Sequence, residues 1–408
     1  MPSTKKYHKL GLSVKNGLHF MSNGTSWEKL SFKTKQALSV IEPYAFYCFN
    51  NEPLILFFHN CSDKKRTQQL CWNFNKAPVI IFFEGDENPI SDDGNKILIN
   101  IKSKIEIKNA FDIDTSTGEL NDLPDANIKQ FSYWNIVSGK IWETHALAFK
   151  NENKVDYKLL ANIGAVREKF IKSKSKENKE NTTAVINRVL GRLIFVRYLI
   201  DRKVRINFDT FDYLTKENLT DIIQDKKQLY ELFQHLQRVF NGDLFPFIEN
   251  LEYEQGQLNS NDLRIISGLF KGDEISTGQR SLFHLYDFSV IPIELVSNIY
   301  EYFMGYEKQD KNKAFYTPPF LVDYLINETI EPYLQQQDTW HCTTLDPACG
   351  SGVFLVDALR RIILKYKSLN PGTSTEAFKS DICAILSANI YGIDKDRDAI
   401  DVSIFSLY

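Results

Sequence analysis

Short apolar runs separated by turn residues fill the first 120 positions. Leu54-Ile-Leu-Phe-Phe58, Val79-Ile-Ile-Phe-Phe83 and Ile97-Leu-Ile-Asn-Ile101 are strand-length and rich in β-branched or aromatic residues, which suit a pleated, packed surface. A polar stretch with Gly85, Pro89 and Gly94 breaks the pattern and predicts a turn or loop. From 121 to 310 the apolar period lengthens to that of helices. Val185, Val189, Leu193, Val196 and Ile200 recur at helical spacing, and Ile186, Leu190, Ile194 and Phe195 widen the stripe until it nearly encircles the axis. That predicts a largely buried helix over 184–204. Before it, residues 172–181 are charged and rich in Ser and Asn and read as an exposed loop. From 311 to 408 the order is apolar strand, glycine turn, long helix, second strand, the opening of a doubly wound α/β domain. The expected class is therefore α/β in three regions: an α/β accessory region over 1–120, a helical region over 121–310, and a nucleotide-binding-type domain from 311.

Composition narrows this picture. The chain has 408 residues, 43% of them hydrophobic and 25% charged, which excludes wholesale disorder and, at roughly 100–200 residues per domain, predicts two to four domains. No apolar run approaches the ~18 residues of a bilayer span, and positions 1–14 carry lysines without an apolar core, so neither a membrane segment nor a secretory leader is expected. Six cysteines without a CxxC pair make neither a disulfide framework nor a zinc module, and fit a reducing, cytoplasmic setting. The seven histidines show no metal-ligand spacing, so no metal site is expected from them.

Net charge is only −3, but residues 167–205 hold twelve Lys or Arg against four acids. Lys172, Lys174, Lys176, Arg188 and Arg192 are candidate contacts for phosphates. The plainer alternative is a solvated helix face preceded by a lysine-rich loop.

The chemistry concentrates between Thr343 and Arg360. A short strand ends at Asp346. Pro347, Ala348, Cys349, Gly350, Ser351 and Gly352 form a tight turn, and an apolar-faced helix begins at Val353. Glycines at 350 and 352 permit positive φ and close backbone approach. The first amides of the helix lack internal partners and carry the positive end of its dipole, so they suit a carboxylate or phosphate. Asp346 is placed to meet a cationic amine. A second short strand, Asn389-Ile-Tyr-Gly-Ile-Asp394, ends in an acid that can take ribose hydroxyls. A nucleoside bearing both carboxylate and amine is S-adenosylmethionine. The GxGxxG dinucleotide pattern is absent, because Cys349-Gly-Ser-Gly-Val-Phe354 has no third glycine in place. Packing in a crowded turn accounts for the small Cys349 better than thiol reactivity does.

Asp346-Pro-Ala-Cys-Gly-Ser-Gly352 resembles motif I of adenine-N6 DNA methyltransferases, in particular the γ-type enzymes of type I and type IIG restriction–modification systems. Tyr391-Gly-Ile-Asp394 is similar to their motif II, and Ala314-Phe-Tyr-Thr-Pro318 to their motif X, which places Tyr316, Thr317 and Pro318 across the cofactor. Looser similarity extends upstream through Tyr286-Asp-Phe-Ser-Val-Ile-Pro-Ile-Glu294, Ile299-Tyr-Glu-Tyr302, Leu190-Gly-Arg-Leu-Ile-Phe-Val-Arg197, Trp142 and Phe131-Ser-Tyr-Trp134. The resemblance thus spans roughly 130–408. It implies a Rossmann-like domain, S-adenosylmethionine as cofactor, double-stranded DNA as partner, and methyl transfer to the exocyclic amine of a flipped-out adenine.

Family members hold that amine with an (Asn/Asp/Ser)-Pro-Pro-(Tyr/Phe) motif after the fourth strand, and no such motif follows Asp394. Thr317-Pro-Pro-Phe320 is a decoy: it begins with Thr and follows the charged Asp310-Lys-Asn-Lys313 instead of an apolar strand. The expected catalytic residues therefore lie outside this sequence: either the gene is split or truncated, or a second polypeptide is the partner that completes the domain. Two other functions compete, a non-catalytic DNA-binding or specificity subunit and an endonuclease-bearing restriction subunit. The latter would need Mg2+ on an array such as Asp92 or Asp93 with Glu106 and Lys108. Those same residues also read as a surface strand with alternating charge.

Overall fold

The computed structural model describes residues 7, 10–23, 30–83, 96–101, 112–114, 131–144, 154–174, 179–208, 211–240, 246–281, 284–291, 295, 299, 317, 319–395 and 397–407. The chain is mixed α/β and forms two compact units. One comprises Met1–Val166, Asp201–Val204 and Gly268–Pro292; the other comprises Arg167–Ile200, Arg205–Ser267 and Ile293–Tyr408. The units cross the textural boundaries at 120 and 310.

The first unit is built on a six-stranded sheet in sequential order: β1 (Leu18–Phe20), β2 (Ala45–Phe49), β3 (Glu52–His59), β4 (Val79–Phe83), β5 (Lys96–Ile101) and β6 (Asp112–Asp114). Helix α1 (Phe32–Ile41) lies between β1 and β2 in the chain, and α2 (Lys64–Phe74) between β3 and β4. Among the described residues of this sheet only β3 and β4 pair in parallel, Ile55 opposite Val79 and His59 opposite Phe83, because a parallel pair needs a crossover and α2 provides it. β4 is apolar at every position, and β3 from Pro53 to Phe58, because both faces are covered. Tyr47, Ile55, Phe57, Val79, Ile81 and Phe83 pack with Tyr7, Phe131, Ile136 and Ile141 on one face. Phe46, Leu56, Phe58, Ile80 and Phe82 pack with Leu38, Cys71, Phe74 and Val290 on the other.

Helices α3 (Tyr133–Val137), α4 (Lys140–Thr144) and α5 (Val155–Lys172) follow. Residues 284–288 return to the sheet's helix: Arg66 pairs with Asp287, and Asn73 Nδ2 donates to the Leu285 carbonyl at 3.1 Å. The Asp92, Asp93, Glu106 and Lys108 array lies outside the described residues, as does the polar stretch 84–95.

The second unit begins at Arg167 within α5 and continues with α6 (Lys179–Asp201), α7 (Lys216–Gln224), α8 (Lys226–Val239), α9 (Leu251–Gln257) and α10 (Ser260–Lys271). In α6, Val185, Ile186, Val189, Leu190, Leu193, Ile194, Phe195 and Val196 are all buried, as the encircling apolar pattern predicts. The α/β part holds α11 (Pro319–Glu328), α12 (Ile330–Gln336), β7 (Thr344–Asp346), α13 (Val353–Leu369), α14 (Thr375–Asn389), β8 (Ile390–Gly392) and α15 (Arg397–Leu407). Strands β7 and β8 are parallel, pairing Leu345 with Tyr391 and Asp346 with Gly392. Val322, Ile326, Ala358, Leu359, Ile362 and Ile385 form the core beside them. Leu345, its neighbour Tyr391 and Ile393 two positions on are 58%, 47% and 57% exposed.

Candidate functional site

The site begins where β7 ends. Asp346 is half-buried, and its carboxylate accepts from the Ala348 amide at 3.1 Å, which starts the turn. The Asp346 carbonyl takes the Ile393 amide at 2.9 Å, and the Ile393 carbonyl takes the Cys349 amide at 3.0 Å. These two bonds extend the β7–β8 pairing past the strands and bring the turn against the end of β8. The Gly350 amide then donates to an oxygen of Asp394 at 2.9 Å. Two acids separated by the whole of α13 and α14 thus end up on one turn.

The two glycines serve different purposes. Gly350 has φ +50° and open space around the place a Cβ would occupy. Gly352 has φ +80°, and a Cβ there would come within 2.3 Å of Ser403 Oγ. Gly352 is also the N-cap of α13 and brings no side chain to the helix end, while its carbonyl accepts the first intrahelical bond, from Val356, at 2.9 Å. The leading amides of α13 therefore have no side-chain cap, and open space lies next to them at Gly350. Gly392 adds a second close approach, since a Cβ there would meet Leu355 Cδ1 at 2.7 Å and Cys349 Sγ at 3.0 Å.

Cys349 is buried under this turn. Burial pushes its thiol up, a hydrogen bond with Ser403 partly opposes that, and the charges of Asp394 and Asp346 push it further up. The thiol thus stays protonated at neutral pH and is a packing element. The two carboxylates beside the turn, Asp346 and Asp394, suit a cationic group on a ligand.

Of the upstream residues assigned to the cofactor, Thr317 is half-buried, while Tyr316 and Pro318 lie outside the described residues. Pro319 is the first residue of α11. Proline suits that position because its missing N–H has no helical partner to lose. The decoy Thr317-Pro-Pro-Phe320 thus runs into a helix start.

The candidate phosphate contacts fare differently from one another. Lys172 is exposed and pairs with Glu168 one turn earlier on α5. Lys174 reaches Asp262, whose side chain is 2% exposed, at 2.8 Å, and Arg188 reaches the buried Asp401 at 3.0 Å. Arg192 is an interior residue: it pairs with the fully buried Glu254, lies over the rings of Phe233 and Phe247, and donates to the Pro246 carbonyl at 3.0 Å. A phosphate cannot reach it, which corrects the expectation for Arg192. The sequence shows Lys174, Arg188 and Arg192 but not their partners, which lie more than sixty positions away in the chain. Lys176 lies outside the described residues.

The segment carrying both motifs has known counterparts. Residues 292–403 match the family model for N-6 DNA methylases. The matched methylase segment contains Asp346, the glycine turn and Asp394, and it ends at Ser403. No curated protein and no solved structure gives a significant match. Among the described residues, no group of acids, histidines and cysteines could hold a metal, and no helix is long and apolar enough to cross a membrane. Sequence reasoning located the turn and its two acids. It missed Ser403, which no local signal distinguishes from any other helical serine.

Proposed function

We propose that this chain carries the cofactor-binding part of an adenine-N6 DNA methyltransferase of restriction–modification type, with S-adenosylmethionine at the turn between β7 and α13. The observation that carries the reading is the Gly350–Asp394 bond: it puts an uncapped helix N-terminus, a space without side chains and two carboxylates in one place. These groups fit the cofactor. The leading amides of α13 suit its carboxylate, an interaction of about 0.3–1 kcal/mol at an exposed helix end. Asp346 would meet its ammonium group, and Asp394, steadied by Gly350, its ribose. The bound cofactor supplies a methyl group on a positively charged sulfur, and the negative turn favours that charge.

In this reading Tyr316, Thr317 and Pro318 flank the cofactor, and DNA is the methyl acceptor. The type I or type IIG subtype and the Rossmann-like completion of the sheet belong to the same proposal. We assign cofactor binding to these residues and the completion of the sheet to a second polypeptide. The exposed face of Leu345, Tyr391 and Ile393 supports that assignment, because an apolar strand face is stable when covered.

Equilibrium binding of labelled S-adenosylmethionine tests the proposal. Asp346→Ala and Asp394→Ala should each weaken binding about ten- to a hundredfold, the worth of a hydrogen bond to a charged group. Equal affinity in wild type and both variants would place the ligand elsewhere.

A further inference from the structure

The glycine turn rests on residues that belong to neither motif. Ser403 is buried and lies so near Gly352 that its Cα is 3.0 Å from the place of an added Cβ. The same serine hydrogen-bonds the Cys349 thiol. Two of the turn's residues therefore lean on one side chain of α15. Two positions earlier on that helix, Asp401 has a side chain only 1% exposed and accepts from Arg188 Nη1 of α6 at 3.0 Å. Residues two apart on a helix point to opposite sides. Helix α15 is thus held between Arg188 on one flank and the turn on the other. A buried carboxylate that loses its cation is costly enough to move the element that bears it.

We propose that Arg188 and Asp401 are positioning residues for the cofactor turn. Their ion pair fixes α15, and Ser403 on α15 fixes the backbone from Cys349 to Gly352, including the amide that Gly350 gives to Asp394. The inference rests on the cofactor reading above, and it gives Arg188 an inward task in place of a phosphate contact.

The test uses the full chain and two readouts. One is calorimetric titration with S-adenosylmethionine; the other is amide hydrogen exchange over residues 347–356 without ligand. Arg188→Ala and Asp401→Asn should each weaken binding about tenfold, within the usual 5–150-fold range of coupled sites. The double variant should lose no more than either single one, because both remove the same contact. Exchange over 347–356 should quicken in all three, and Arg188→Lys, which keeps the cation, should recover most of both readouts. If Arg188→Ala does not fold, the nearly isosteric Asp401→Asn carries the comparison. Wild-type affinity and wild-type exchange in the single variants would overturn the inference. A wild-type chain that takes up no S-adenosylmethionine would defeat the cofactor reading instead, and the exchange rates would still decide whether the ion pair sets the turn: unchanged rates overturn it.

Discussion

The amide of Gly350 donates to the carboxylate of Asp394 across 2.9 Å, tying the turn after β7 to the acid two residues past β8. Asp394 is therefore oriented before any ligand arrives, and the residue that orients it is the one whose missing side chain leaves the space beside it. Pre-organisation of this kind lowers the ordering cost of binding.

Gly350 and Gly352 should separate under mutation. Alanine at either must hold a positive φ, at a cost of about 1–2 kcal/mol. At 350 the added methyl enters open space, so Gly350→Ala should lose that much stability and most of its affinity for S-adenosylmethionine. At 352 the methyl meets Ser403, so Gly352→Ala should lose clearly more stability than Gly350→Ala. Urea unfolding of both variants measures the difference; equal stability losses would contradict the assignment of roles.

Arg192 should behave as a structural residue. Removing one partner of a buried pair costs about 3–5 kcal/mol, so Arg192→Ala should lower unfolding stability by that order, with Glu254 left uncompensated. Replacing both with apolar residues, Arg192→Met with Glu254→Leu, should recover much of the loss. Little change in stability accompanied by weaker DNA binding would show instead that Arg192 faces phosphates.

The sheet unit should weaken in alkali. Burial pushes the Cys48 thiol up to about 12, whereas a thiol in the unfolded chain titrates near ~8.5. Between these values the unfolded chain releases a proton that the folded chain keeps, so stability falls as pH rises and is fully present below the lower value. At pH ~10 the loss from this thiol is about 2 kcal/mol, from ~1.4 kcal/mol per pH unit. Tyr47, also pushed up to about 12 by burial, adds to the fall only above its ordinary range near ~10. Cys48→Ala should flatten the decline between pH ~8.5 and ~10; an unchanged slope in denaturation curves would assign it to other groups.

Much of the local structure was legible in the sequence. The run Val79–Phe83 is a strand with those bounds and the run at 54–58 sits inside β3, because a fully buried strand is continuously apolar; the run at 97–101 sits inside β5. The helix expected over 184–204 spans Lys179–Asp201 instead. Its polar first turn is invisible to hydrophobic periodicity, and the chain leaves the helix where Lys203 takes φ +62°. Helix at Lys172 and from Lys179 likewise shortens the loop expected over 172–181. The glycine turn was readable because positive φ and close approach demand a residue type at fixed spacing. The partners of Lys174, Arg188 and Arg192, and the seat of Ser403 behind Gly352, are long-range relationships that no local pattern encodes. The excess of cations over 167–205 therefore resembled a phosphate-binding surface, although Arg192 is buried and Lys174 and Arg188 pair with buried acids.

The most direct measurement is a crystal structure of the chain with S-adenosylhomocysteine, the demethylated form of the cofactor. The account predicts density at the turn, with the ligand carboxylate on the leading amides of α13, its amine beside Asp346 and its ribose hydroxyls on Asp394. A turn left empty at saturating ligand, or the ligand bound at another place on the chain, would contradict it.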